Sequence, residues 1–456
     1  MAPASIGLRW SPVTCLYSRG YQRYVMGLLL VIYICNQTDR AIFNFLMQPI
    51  KHDLGLSDSQ LGFLAGPALG LFYATLGVPI ARRADRGPRI TIMSVALALW
   101  SGMVVLTALI TQFQQLAFTR IGVGIGEAGF SSIAISVIVD YYAAADRARA
   151  LSIFMLGLPL GGVVSSLAAG WLNEIYGWRA VFVAAGVPGI ILALLLKGTV
   201  REPPRDSSHA YATPSASRPR LSAIWSTLWQ TRAIRHLALG QGVGCILSAS
   251  VAIWMPTFFW RAHAIPSGQL GTELALTYGL GGGLGTWLSG HLMTRWASRG
   301  AHAQAWLSAI TTAAAAPILW VALWCTSAQV ALLMLLPAYA LIFFFFAPTT
   351  ALIQSLTSPQ ARATMASMVI LIQMLVAGVA GVQALGLLSD TFGRWLVDST
   401  LGLRWSMTVM STAAVWAALH FWRAGQFIQQ DGTNPASQAQ AMSQCDFKPA
   451  GISRTK

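Results

Sequence analysis

Charged side chains are scarce in this sequence. Asp, Glu, Lys and Arg together make up 10% of its 456 residues, against about 25% in a soluble domain. That excludes an ordinary water-soluble globule. Only 15 residues are acidic, against 30 Lys and Arg. Cysteine offers no framework either. Cys15, Cys35, Cys245, Cys325 and Cys445 are far apart, odd in number and without metal-ligand spacing. They read as small apolar residues, and no metal or cofactor is expected. No GxxxxGK[ST] loop occurs, which argues against ATP-driven transport. No cluster of His, Ser or Asp gathers at one membrane face, as a membrane-bound acyltransferase would need, so the chain does not read as an enzyme. A receptor would need an extramembrane ligand domain, and none is visible.

What fills the sequence is apolar: 55% of the residues are hydrophobic. Runs of about 20 recur, each long enough to cross about 30 Å of hydrocarbon. Twelve spans are expected, at 24–48, 61–81, 90–110, 114–139, 149–172, 179–197, 236–260, 270–293, 304–324, 328–352, 363–388 and 404–422. They are too long, and alternate too little, for barrel strands. Backbone in lipid must bond internally, so helices remain. The fold class is an all-α, multi-pass membrane protein. The first apolar run has no small-residue cleavage site after it and is expected to stay as the first helix.

The net charge of +15 invites a nucleic-acid reading, but the placement of the charges argues against one. Segments on one side of the twelve spans hold 23 of the 30 Lys and Arg, and the opposite loops hold five. Positive charge marks the cytoplasmic side, so both termini are expected there, in a cell (inner) membrane. The segment 198–235 is rich in Pro, Ser and Arg and reads as a cytoplasmic linker. It divides a six-helix unit at 24–197 from a second at 236–425. Residues 1–23 form a cytoplasmic N-terminal segment, and the polar tail 426–456 is expected to be disordered.

The two units repeat. DYYAAADRARALSIF, with Arg149, corresponds to QSLTSPQARATMASMV, with Arg362, at an offset of 213. The loop ARRADRGPRI corresponds to HLMTRWASRG, and aligning Arg86 with Arg295 gives 209. Transporters built from two such units are common. Glycines at 62, 66 and 70, at 157 and 161, and at 281, 282, 283 and 285 suggest close helix approach. Pro159 is expected to bend the fifth helix.

These stretches resemble the major facilitator superfamily. ARRADRGPR at 81–89 resembles its loop signature between helices two and three, with Asp85, Arg86 and Arg89 matching. Ala81 and Pro88 stand where glycines are usual. Arg120 with Gly124 resembles the helix-four pattern, and GWRAVF at 177–182 and VREPP at 200–204 resemble the edges of helix six. NQTDRAIFNFLMQPI, LFYATLGVPIARRADRG and RIGVGIGEAGFSS look most like the Spinster branch. The resemblance implies two pseudo-symmetric six-helix bundles, alternating access and a lipid-like cargo such as a lysophospholipid or sphingoid lipid.

Four charges lie inside spans. Arg120 and Glu127 are seven residues apart, about 700° of helical rotation, so they share a face about 10 Å apart along the axis. Asp39 and Arg40 lie at a comparable depth in span one. Charges at that depth normally face the bundle interior or a wet cavity. Asp39, Arg120 and Glu127 are expected to meet, with Arg40 turned partly toward the cavity or helix five. Low dielectric favours a neutral acid and a nearby arginine favours the carboxylate, so the cluster reads as a proton-coupled switch; the bland alternative is a static ion pair that fixes packing.

Asp85, Arg86 and Arg89, with Asp140, Arg147 and Arg149, look like a cytoplasmic gate. The resemblance implies that Asp85 meets the start of helix eleven and locks the outward-open state. Trp254, Tyr278 and Gln373 are candidates for an apolar, aromatic cavity wall in the second unit, against which aromatic residues facing lipid must be weighed. The expected partners are the bilayer, an amphiphilic small molecule and protons, with no nucleic acid, and a monomer is expected. A proton-coupled carrier of drugs or small organic anions is the alternative.

Overall fold

The computed structural model describes residues 17–204, 221–296, 299–358 and 361–433. Among the described residues nine helical stretches are long and apolar enough to cross a membrane. The chain path resolves them into twelve spans. The stretch Arg149–Thr199 turns at Gly177, whose φ of 79° interrupts the helix Gly157–Thr199 and separates span five from span six. Span eight, Ser267–Trp296, is glycine-rich, and span twelve, Ser399–Ser411 with Ala413–Thr433, carries Arg404, His420 and Arg423. These residues lower the hydropathy of those two helices below that of their neighbours.

The other spans follow in order. They are Arg19–Leu54, Asp58–Ala65 with Pro67–Arg86, Arg89–Thr107, and Phe113–Glu127 with Phe130–Tyr141. Span five opens with Ala144–Met155. Spans seven, nine and ten are Arg232–His263, Ala301–Trp324, and Ala328–Phe344 with Phe346–Ser355. Span eleven is Arg362–Gln373, a π-helical turn Met374–Gly381, and Val382–Leu396. Ser18 starts span one by accepting a bond from the Tyr21 N–H at 3.3 Å. Ser57 and Gln60 form a capping box at the start of span two.

Several breaks have a covalent cause. A proline lacks the N–H that would bond the carbonyl four residues earlier. Span five breaks after Met155, four before Pro159, and span ten breaks after Phe344, four before Pro348. Span six reaches Thr199, span seven starts at Arg232, and a helix Leu221–Gln230 occupies part of the expected linker. The last helix continues to Thr433, so 426–433 is helical; residues 434–456 of the expected tail, and 205–220 of the linker, lie outside the described residues.

Spans one to six pack together, as do spans seven to twelve, giving two six-helix bundles. The bundles meet where span two lies against span eleven, span five against span eight, and span one against span seven. Glycine permits the first two contacts. A Cβ at Gly66 would stand 2.7 Å from the Gly378 oxygen, and one at Gly170 would stand 2.6 Å from the Ser267 oxygen. Both helices depart from α geometry where Gly66 and Gly378 touch, since Gly66 breaks span two and Gly378 lies in the π turn. Such turns often mark hinges.

Candidate functional site

The charged residues of spans one and four do come together at the middle of the first bundle. The Arg40 Nε donates to Glu127 Oε2 at 2.5 Å. Glu127 is buried, whereas the Arg40 side chain is 30% exposed. Its guanidinium also lies over the Tyr73 ring, 4.2 Å from the centroid. The direct partner of Glu127 is thus Arg40, expected to turn only partly toward the cavity.

The chain geometry at Glu127 explains the site. Glu127 ends the helix Phe113–Glu127; Ala128 is extended, and Gly129 takes a φ of 83° before the helix resumes at Phe130. The last turn therefore leaves carbonyls without helical donors beside Glu127. A helix end of that polarity attracts a cation, and Arg40 supplies one. The glycines of RIGVGIGEAG let neighbours in: a Cβ at Gly124 would stand 2.6 Å from the Leu69 oxygen of span two.

Arg120 and Asp39 flank this pair. Both are 3% exposed, and both act electrostatically on each other and on Glu127. Arg120 lies 4.4 Å from the Phe43 ring centroid and donates weakly to the Leu64 oxygen at 3.4 Å. It closes no salt bridge among the described residues. Asp39 Oδ1 and Glu127 Oε1 are buried without hydrogen-bond partners. The Trp100 indole N–H faces Asp39, yet it completes no bond. Each carboxyl group therefore keeps one oxygen on which a proton can sit without breaking an existing contact.

The second bundle answers with uncharged groups. Gln373 Nε2 donates to Gln241 Oε1 at 2.5 Å, and Gln241 Nε2 donates to Thr349 at 2.7 Å and Thr350 at 3.1 Å. Tyr278 packs edge-on against Tyr339 and Phe343, each at 5.4 Å. It is 39% exposed. Trp254 is fully buried, so it lines no open surface in this conformation. Its bulk packs the core of span seven instead.

At the basic end, Arg89 of the expected gate bonds within the first bundle in this conformation. Arg89 is 3% exposed and bonds Asp140 Oδ2 at 2.5 Å, Glu202 Oε1 at 2.9 Å, Ser136 Oγ at 3.0 Å and the Pro203 oxygen at 3.1 Å. Glu202 also accepts from the Ile90 N–H at 2.9 Å. This ties spans three and four to the end of span six, all within one bundle. Arg147 Nε bonds the Val139 and Tyr142 oxygens, while Arg86 and Arg149 are exposed. Asp85 falls within Pro67–Arg86, but its side chain lies outside the described residues.

Hydrogen bonds between the bundles, among the described residues, gather at the opposite end, most of them around Asp58. Arg261 of span seven grips Asp58 with two bonds, at 2.6 and 2.8 Å. Lys51 and Ser389 each bond Asp58 at 2.6 Å, and Arg261 Nε bonds Gln48 at 2.8 Å. Asp390 accepts from the N–H groups of Asp58 and Ser59, at 2.9 and 2.8 Å, which caps span two from the other bundle. Asp58 and Arg261 side chains are 2% and 3% exposed. A second contact joins Glu174 of span five to the Gly268 N–H at 2.7 Å. These residues were absent from the sequence-based candidates. The only local signal was the capping-box spacing at Ser57 and Gln60.

Twelve helices in two bundles, joined at one end through Asp58 and Arg261 and carrying buried charges within the first bundle, have the architecture of a multi-pass membrane transporter. A sequence model of the Major Facilitator Superfamily matches residues 29–381. The chain is 30% identical over 411 residues to an MFS-type efflux pump of Mycolicibacterium smegmatis, covering 89% of this chain and 93% of that one. It is 25% identical over 437 residues to protein spinster homolog 1 of Mus musculus, covering 91% and 82%. Its structure resembles a bacterial homolog of the human lysosomal transporter Spinster in an inward-facing, unoccupied conformation, with a TM-score of 0.83 and 29% identity. That match covers 92% of this chain and all of the other. The chain belongs to the Major Facilitator Superfamily, within its Spinster branch.

Proposed function

We propose that the protein is a proton-coupled secondary transporter that moves an amphiphilic, lipid-like solute by alternating access. The observation that carries this reading is the ion pair between partly exposed Arg40 and buried Glu127, with buried Asp39 beside it. The excess of Lys and Arg at the basic end supports placing both termini in the cytoplasm. In that orientation the Asp58–Arg261 seal is extracytoplasmic, and the conformation is open to the cytoplasm.

A proton on Glu127 removes the charge that holds Arg40. The freed guanidinium then has Asp39 or an anionic head group as its partner, and guanidinium geometry suits phosphate and carboxylate alike. Tyr278 and Phe343 of the second bundle offer apolar surface to a chain. One charge crossing 100 mV is worth about 2.3 kcal/mol, enough to drive a solute against a gradient. The lipid-like cargo rests on the resemblance of the sequence to the Spinster branch; a drug or small organic anion is the alternative, and the likeness to an efflux pump is compatible with either. The test is flux in proteoliposomes with an imposed pH gradient and a panel of labelled lysolipids. Lysolipid movement that follows the pH gradient is the expected result. Movement of small organic anions alone would favour the alternative, and flux indifferent to pH would remove the proton from the mechanism.

A further inference from the structure

Among the described residues, the basic end of the second bundle carries arginines that no carboxylate answers. In the first bundle, Arg89 meets Asp140 and Glu202. In the second, Arg235 bonds the Trp229 oxygen at 3.1 Å, and Arg362 bonds the Gln354 and Thr357 oxygens. Arg232 and Arg299 lie over the rings of Phe427 and Trp296, at 5.5 and 4.4 Å. From 221 to 433 the acidic residues are Glu273, Asp390, Asp398 and Asp431. The first three lie in span eight and around the end of span eleven, toward the sealed end, and the side chain of Asp431 is outside the described residues.

The charge is densest at one corner, where span seven meets span twelve. His236 Nδ1 and His420 Nδ1 are 2.9 Å apart, so one ring donates and the other accepts. Arg235 and Arg423 act electrostatically on this pair, and Phe427 stacks on His236 at 5.5 Å beneath Arg232. Arg232 and Arg423 are exposed. The helix Leu221–Gln230 lies alongside, burying Ile224 and Leu228 while leaving Leu221 and Trp225 61% and 46% exposed. Tryptophan at a helix surface near a charged boundary is the pattern of an interfacial anchor. Basic pockets beside such helices favour anionic lipid head groups.

We propose that this corner, formed by Arg232, Arg235, Arg423 and the His236–His420 pair under the Leu221–Gln230 helix, binds an anionic phospholipid of the adjoining leaflet. The phosphodiester lies among the guanidinium groups, and Trp225 and Leu221 rest in the acyl region. The site is separate from the cavity between the bundles and does not depend on what that cavity carries.

The experiment uses the full-length protein, purified in neutral detergent and titrated with phosphatidylglycerol and with phosphatidylcholine, with bound lipid read by native mass spectrometry. Wild type is expected to retain phosphatidylglycerol selectively. Arg235→Gln with Arg423→Gln is expected to weaken that retention about thirtyfold, or about 2 kcal/mol at tenfold per 1.4 kcal/mol. Arg235→Lys with Arg423→Lys keeps the charges and is expected to keep most of the binding. Equal retention of the two lipids by wild type overturns the proposal whether or not any variant folds. Unchanged phosphatidylglycerol binding in the Gln pair also overturns it. Displacement by inorganic phosphate at matching concentrations would make the site one for a free anion. Loss of binding in Glu127→Gln equal to that in the Gln pair would place the lipid in the central cavity instead.

Discussion

Replacing Asp58 by Asn should open the sealed end. The carboxylate is the hub on which the two bundles meet: it holds Arg261 by two bonds, and Lys51 and Ser389 by one each. The amide is nearly isosteric and keeps one acceptor oxygen, so shape is preserved while charge is lost. Lys51, 22% exposed, turns to water at little cost. Arg261, 3% exposed, keeps Gln48, one neutral amide oxygen and a long contact to the Ser399 oxygen at 3.4 Å, and loses its counter-charge. A buried ion left without its partner costs about 3–5 kcal/mol. The lower figure applies here, because Gln48 stays and opening itself admits water.

About 3 kcal/mol shifts the balance between sealed and unsealed conformations by about 150-fold. Spin labels at Thr111 and Trp395, exposed positions on opposite bundles toward that end, report the separation by pulsed electron resonance. The variant should show a longer distance than the parent, and Arg261→Gln should reproduce it. Distance distributions that superimpose for parent and both variants would refute the reasoning, because the seal would then contribute nothing to the conformational balance.

Glu127→Gln should abolish pH-driven uptake in proteoliposomes while cargo exchange at equal pH persists, since Arg40 keeps an amide oxygen to bond; coupling that survives would take Glu127 out of the proton path. Arg89→Gln leaves Asp140 and Glu202 without their shared cation, at a cost on the order of 3 kcal/mol, and should lower the melting temperature without moving the Thr111–Trp395 distance. A changed distance would restore a gating role to that loop. Gly66→Val puts side-chain atoms against the Gly378 backbone, where even a Cβ would stand at 2.7 Å, and should also unseal the bundles; a parent-like distance would mean that span eleven yields.

Span boundaries were legible because lipid imposes a simple demand. Each crossing needs about 20 apolar residues with internal backbone bonds, and that pattern repeats without interruption. The breaks were legible where a proline forces them, as at Pro159. The break after Glu127 was not, because GEAG has several conformations open to it and tertiary packing selects one. Helical periodicity places Asp39 and Arg40 about 100° apart but does not say which of them span four will meet. Arg40 won because the broken helix leaves its carbonyl end at Glu127. The seal was the least legible part. Asp58 and Arg261 are 203 residues apart, each beside a predicted helix end, where a charge normally reads as solvated. Only the docking of one bundle on the other buries them.

That docking also explains how the pocket and the seal can act together. Both draw on span one, a single helix from Arg19 to Leu54. Arg40 in the pocket lies eight residues, or about 12 Å along the axis, from Gln48 in the seal, and Lys51 is one turn further on. A helix of this kind transmits rotation and tilt more readily than it absorbs them, because each turn is hydrogen-bonded to the next. When Arg40 changes partner, span one must shift against span four, and Gln48 and Lys51 shift with it against Asp58 and Arg261. Pro49 lies within the helix between those two seal residues, where its missing N–H removes one bond. It is the natural place for this lever to flex. Stiffening it with Pro49→Ala should weaken the dependence of the Thr111–Trp395 distance on pH if flexing there absorbs strain during opening. If that dependence matches the parent's, the lever works as a rigid rod and the flexing belongs to Gly66 and the π turn of span eleven.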